Sequence, residues 1–171
     1  SGFDPSIQSV ITDKSMSAGM RSKLASGWNM DMNNTFGSNR FHFIVDGTLN
    51  SSLVDKSPTR FDAGGFSLTE NTTGINFSQL FNGVMEGLNF AFGSEFRIDN
   101  YQIFAGEEAS YKTYGKVIFS IDTVTGDTTF RSGGSQGFPG FQPSNELNET
   151  RTSLGAFADA ELDISENLLL G

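Results

Sequence analysis

Apolar residues recur at every second position in several stretches of this chain, and no other feature narrows its fold as far. Trp28, Met30, Met32 and Phe36 alternate with Asn29, Asp31, Asn33 and Thr35. From Arg40 to Asn50, Phe41, Phe43, Val45 and Leu49 take one side. Arg40, His42, Asp46, Thr48 and Asn50 take the other, with Ile44 as the exception. Leu88, Phe90, Phe92, Phe96 and Ile98 alternate with Asn89, Gly93, Glu95 and Arg97. Leu154, Ala156, Ala158, Ala160, Leu162 and Ile164 alternate with Gly155, Phe157, Asp159, Glu161 and Asp163. A period of two is the geometry of a strand with two unlike faces. A fifth stretch, Phe66 to Phe77, is apolar first at even and then at odd positions, which predicts a bulge near Gly74. The 20 glycines and 17 phenylalanines disfavour helices in the same direction.

The connections alternate in length. Tight turns are expected at Gly37 to Arg40, at Leu80 to Gly87 around Asn82-Gly83, and at Ser165 to Asn167. Long links are expected from Ser51 to Gly65 and from Asp99 to Thr152. Within the second, Lys116 to Phe130 reads as a local hairpin turning at Thr125-Gly126-Asp127. A length of 171 residues suits one domain. The chain opens at Ser1 and closes as an apolar segment, Leu168 to Leu170, begins, so it reads as an internal piece of a larger protein.

Several classes are excluded by composition. A formal charge of −9 argues against nucleic acid as a partner, because phosphate binding needs clustered Lys and Arg. There is no cysteine, hence no disulfide framework, thiolate metal site or Cys nucleophile. No apolar run approaches the roughly 20 residues of a spanning helix.

Strands with one apolar and one polar face suit a soluble sheet on a core or the wall of a membrane barrel. Two features favour the barrel. The polar side carries charge within the strands (Asp31, Asp46, Glu95, Arg97, Asp159, Glu161, Asp163), as a water-filled lumen tolerates, and short and long links alternate. Strands of about ten residues also match a bilayer when tilted. The expected fold is therefore all-β: antiparallel strands of a transmembrane β-barrel. It would be a partial barrel of about five strands plus a long loop containing a hairpin, spanning residues 1–171. The alternative is a soluble β-sandwich. Five strands cannot close such a barrel, which again points to a piece of something larger.

Four segments resemble TonB-dependent outer-membrane receptors of the Bacteroidetes and Proteobacteria type. They are Trp28 to Ser52, Ser57 to Phe66 with Asn71 to Ser78, Gly87 to Tyr111, and Gly134 to Leu170, in order and covering most of the chain from Gly27 onward. The resemblance implies a 22-stranded barrel with a plug in its lumen. It implies residence in the outer membrane of a Gram-negative bacterium, among its lipids. It also implies uptake of a scarce ligand (a siderophore, cobalamin, a glycan or similar) driven through TonB. The segments correspond to barrel only, with no plug and no TonB-binding segment, so this piece alone is not expected to transport. A soluble β-rich binding or adhesion module is the competing function.

No catalytic or cofactor site emerges. His42 is the single histidine and has no partner cluster. Asp159, Glu161 and Asp163 share one side but read as a solvated wall, and no nucleotide, hydrolase or metalloprotease motif occurs. An enzyme is not expected, nor a bound metal. The candidate ligand contacts lie in the long link: Glu107, Glu108, Tyr111, Tyr114, Arg131, Phe138 and Phe141 supply charge, hydrogen bonding and aromatic surface.

Overall fold

The computed structural model describes residues 4–171 and is all-β and antiparallel. Its strands are β1 (Ser6–Lys23), β2 (Asn29–Asp46), β3 (Arg60–Phe81), β4 (Gly87–Phe104), β5 (Ile118–Ile121), β6 (Thr128–Phe130), β7 (Leu147–Ser165) and β8 (Leu168–Leu170). A short helix, α1 (Glu108–Tyr111), and 3-10 turns at Ser51–Lys56 and Pro143–Asn145 complete the described chain. One sheet has the order β1-β2-β3-β4-β7-β8, and β5 pairs with β6 in a separate hairpin. Each long strand thus pairs with its predecessor in the sheet, and the hairpin is an excursion between β4 and β7.

The expected turns at Leu80 to Gly87 and Ser165 to Asn167 are present, as is the hairpin within Lys116 to Phe130. Three expectations need correction. Gly37 to Arg40 is no turn but the middle of β2, which is 18 residues long. The phase of the apolar residues changes there, from even to odd, and the change mimics a break. Residues 60–65 belong to β3 rather than to the preceding link, and β1 carries too little alternation to announce itself. The bulge expected near Gly74 is also not there: Phe41 stacks on Phe66, and Asn33 lies against Gly74, equal spacings on both strands that leave no extra residue between. The left-handed residue of β3 is Gly64, with φ 77°. Apolar residues before it are odd (Phe61, Ala63) and after it even (Phe66, Leu68), the shift a one-residue insertion produces.

The described chain falls into two compact units. Unit 1 comprises 4–13, Asn39–Leu68 and Tyr101–Glu149; unit 2 comprises Lys14–Ser38, Thr69–Asn100 and Thr150–Gly171. In unit 1 the odd residues of β2 are apolar and are covered. Phe43 packs on Phe66, Phe138 and Phe141 at centroid separations of 5.9, 5.6 and 6.4 Å, and Val45, Phe61 and Ala63 are fully buried. Apart from Ile44 the even residues there are polar: His42 pairs with Asp62 at 2.7 Å, and the Arg40 guanidinium lies 4.1 Å from the Phe104 ring centroid.

In unit 2 the assignment is reversed. Odd residues of β2 make polar contacts, Thr35 with Ser17 at 2.9 Å and Asp31 with Arg21 at 2.5 Å. Even residues of β2, β4 and β7 are apolar and stand open: Met32, Phe92, Phe96, Ile98, Leu154 and Ile164 are all exposed. Among the described residues, no apolar side chain of unit 2 is buried.

Gly64 and Gly37 provide a contrast. A Cβ at Gly64 would sit 2.7 Å from the Ala105 carbonyl carbon on a positive-φ backbone, whereas nothing lies within 4 Å of one at Gly37. Gly64→Ala is expected to cost about 1–3 kcal/mol and Gly37→Thr less than about 0.5 kcal/mol, measured by chemical denaturation. A large loss at position 37 would restore the turn.

Candidate functional site

Within unit 1 the link from Ala105 to Glu146 is fastened by the side chain of Asn50 together with backbone hydrogen bonds and aromatic contacts. Asn50 is fully buried and precedes the 3-10 turn at Ser51–Lys56. Its Nδ2 donates to the carbonyls of Ala109 (2.8 Å) and Lys112 (2.9 Å), and its Oδ1 accepts from Ser52 N (3.1 Å) and Ser52 Oγ (2.6 Å). Its own backbone N–H donates to Ser57 Oγ at 2.7 Å. A buried amide has two donors and two acceptor positions, and here all four are used. Ser110 N–H donates to Glu107 O, Ser135 N–H and Gly140 N–H both donate to Ser110 O at 2.9 Å, and Phe141 N–H donates to Ala63 O at 2.9 Å. The link is therefore stitched to the sheet by backbone hydrogen bonds as well as by Phe138 and Phe141.

This geometry sorts the seven candidate contacts into three groups. Phe138 and Phe141 face Phe43 and each other (6.3 Å) and serve as cover for the core. Glu108, Lys112 and Tyr114 form one polar cluster. Glu108 Oε1 pairs with Lys112 Nζ, Tyr114 OH donates to the same oxygen at 3.4 Å, and Lys112 Nζ lies 5.4 Å from the Tyr114 ring centroid. Glu107 is exposed beside it and Tyr111 is half-buried. Arg131 belongs to the hairpin: its N–H donates to Val117 O at 2.8 Å and its guanidinium lies 5.9 Å from the Phe119 ring centroid. The seven do not converge on one site. Asn50 was missed because its position in a run of alternating residues assigned it to a strand. The Asn50-Ser51-Ser52 sequence, a capping signature, was the available signal.

Electrostatics follow from these contacts. The hydrogen bond from Lys112 and its charge hold the Glu108 carboxyl below the usual glutamate range and raise the Lys112 ammonium. Burial and the Glu108 charge push the Tyr114 hydroxyl up. In the hairpin, backbone N–H groups of Val124 and Thr125 lower Asp122.

On the odd side of β4 and β7 in unit 2, arginines and acids are paired unequally. Arg97 lies 3.6 Å from Glu70 and 3.7 Å from Asp99, and Arg151 bonds Asp99 at 2.8 Å. Glu95, Asp159, Glu161 and Asp163 have no cationic partner among the described residues, Glu161 accepting only from Asn89 at 3.4 Å. No group of three or more His, Asp or Glu residues among those described is arranged to hold a metal. No helix is long and apolar enough to cross a membrane. No family model, no curated protein and no solved structure matches the chain.

Two outcomes are expected. Asn50→Ala strands two buried carbonyls at about 1–3 kcal/mol each, so trypsin cleavage after Lys112 should accelerate while β4 and β7 stay protected. Glu108 should titrate below an ordinary glutamate in an NMR titration, rise in Lys112→Ala and stay low in Lys112→Arg. The sign is that of a depressed carboxylate: the contact stabilises the link above the usual glutamate range and is lost as pH falls through the lowered value.

Proposed function

We propose that this chain forms part of the wall of a transmembrane β-barrel in an outer-membrane receptor of the TonB-dependent type, taking up a ligand from outside the cell. The observation that carries this reading is the bare apolar side of unit 2. A sheet in water buries one face against a second layer. Here Met32, Phe92, Phe96, Ile98 and Leu154 stand open, and the buried apolar residues Val45, Phe61 and Ala63 all belong to unit 1. Hydrocarbon would satisfy that side, with the charged odd side facing a lumen.

Two further features support the reading. The apolar alternation from Leu88 to Ile98 and from Leu154 to Ile164 has the length of a tilted spanning strand. At the short-turn end of unit 2, Trp28 packs edge-on against Phe81, Phe90 and Phe92 at 6.0, 6.3 and 5.3 Å, and Phe77 stacks on Phe92 at 5.2 Å. Aromatic clusters of this kind mark the boundary between hydrocarbon and water. The sandwich alternative lacks a second layer among the described residues, since the other sheet is the two-stranded hairpin, exposed throughout.

The link of unit 1 then lies outside the cell and the turn at Asn82-Gly83 in the periplasm. An epitope inserted at Val124, which is 92% exposed, should be labelled on intact cells. One inserted at Gly83, where a side chain meets nothing within 4 Å, should be labelled only after the outer membrane is opened. The reverse pattern overturns the topology, and labelling of neither in membranes returns the chain to a soluble module. Phe92→Arg should cost assembly about 2–4 kcal/mol, while Asp159→Arg, on the polar side, should cost far less. Heat-modifiable migration of the two variants in gels compares them.

A further inference from the structure

The polar side of unit 2 holds an open groove of about 330 Å³, bordered by Asn33, Asn76, Glu95 and Phe157 and floored by Gly74 and Gly155. That volume falls within the range of small-ligand sites, about 300–1,000 Å³. Glycine makes the groove possible. A Cβ at Gly93 would collide with Asn76 Oδ1 and lie 2.7 Å from the Phe157 ring, and one at Gly74 would lie 3.0 Å from Asn33 Oδ1. Without side chains there, the two amides and the ring lie flat against the sheet.

The one charged group bordering the groove is the Glu95 carboxylate, beside two amides and the Ser94 hydroxyl. Asn33 Nδ2 donates to Asp31 Oδ1 at 3.1 Å, and because a carboxylate only accepts, this contact fixes the amide's sense; both Oδ1 and Nδ2 lie over Gly74, 3.0 and 3.2 Å from where a Cβ would be. Asn76 Oδ1 lies over Gly93. Glu95 is exposed and unpaired, because Arg97 on the same strand is engaged by Glu70 and Asp99. Phe157 stands half-exposed among the polar residues of β7, and no Lys or Arg borders the groove.

We propose that this groove binds an organic cation, a primary ammonium group carried on an alkyl chain. Its N–H donors meet the two amide oxygens and the Glu95 carboxylate, and its charge and adjoining methylenes lie against the Phe157 ring. A neutral sugar makes no use of the unpaired Glu95 charge. An anion is repelled by Glu95 and by the acidic positions of β7. The inference deepens the receptor reading by naming the charge class of its cargo, and it rests on that reading for the route by which the cation arrives.

The test is a titration of spermidine into the detergent-folded chain at low ionic strength, followed by the side-chain amide signals of Asn33 and Asn76. Saturable shifts are expected. They should weaken by about tenfold or more in Glu95→Gln, whose carboxylate bears the charged contact, and in Phe157→Leu to a smaller extent. Asp159→Asn, which lowers the acidity of the same side without touching the groove, should change the midpoint by less than about twofold. Equal weakening in Glu95→Gln and Asp159→Asn overturns the proposal, since it reduces the effect to diffuse attraction. So does the absence of saturable shifts in a chain that circular dichroism reports as folded, or an equal response to citrate or maltotriose. Labelling at Val124 tests the receptor reading separately, so loss of one result leaves the other standing.

Discussion

A strand sends alternate side chains to opposite sides, and everything else in this protein follows from how its long strands meet that constraint. β2 and β4 have 18 residues each and β3 has 22, so each commits a long row to either side. Neither row is uniform. In β2 the odd residues Asp31, Asn33 and Thr35 are polar while Phe41, Phe43 and Val45 are apolar, and the even residues do the opposite. One strand thus serves two environments, and the two units are the two solutions. Unit 1 makes its own cover from the chain. Unit 2 leaves its apolar row exposed.

The cover in unit 1 solves a second problem. A long irregular link laid over an apolar face brings carbonyls and N–H groups with it, and these need partners once water is excluded. Asn50 takes two of the carbonyls, and Ser110 O takes N–H groups from Ser135 and Gly140. Phe138 and Phe141 then supply the apolar contact that excludes water from Phe43. The hairpin β5–β6 lies outside this arrangement. Val124, Phe119 and Ile121 are all more than half exposed there, so the packed part of the link and its exposed part are distinct pieces of chain.

The sequence pattern was legible where alternation kept one phase. Leu88 to Ile98 and Leu154 to Ile164 are strand throughout, and the hairpin in the long link announced itself through Thr125-Gly126-Asp127. The pattern misleads where the phase changes. Gly37-Ser38-Asn39-Arg40 reads as a turn from its residue types, and the change from even to odd apolar residues in β3 reads as a bulge near Gly74. Here the strand continues and its surroundings change. β1 escaped notice because Ser, Thr and Lys occupy most of its polar positions and dilute Val10, Met16 and Met20. Candidate contacts were chosen by chemistry alone, and only tertiary packing separates Phe138 and Phe141, which are structural, from the exposed Glu107 and Glu108.

The two open needs of the sheet bear on what surrounds it. β1 stands at one edge, and β8 pairs with β7 only from Leu162 to Ser165, so among the described residues both edges of the sheet face outward without a full neighbouring strand. Water can satisfy those edges but not the apolar side chains of unit 2. Hydrocarbon can satisfy the side chains but not the edges, unless further strands pair with them. A second soluble layer would meet the side-chain demand as well, but it would have to cover even residues in unit 2 while the odd residues of the same strands are already covered in unit 1. A layer laid along one side of a strand has no reason to stop where the polarity changes. In β4 Asn100 and Gln102 follow Ile98 on the same parity, and Phe104 closes the strand. In β7 Asn148, Thr150 and Thr152 precede Leu154. Strands that pair side by side change character at matching positions, Asn100 bonding Thr150 at 3.0 Å in unit 2 and Gln102 bonding Asn148 at 3.4 Å in unit 1.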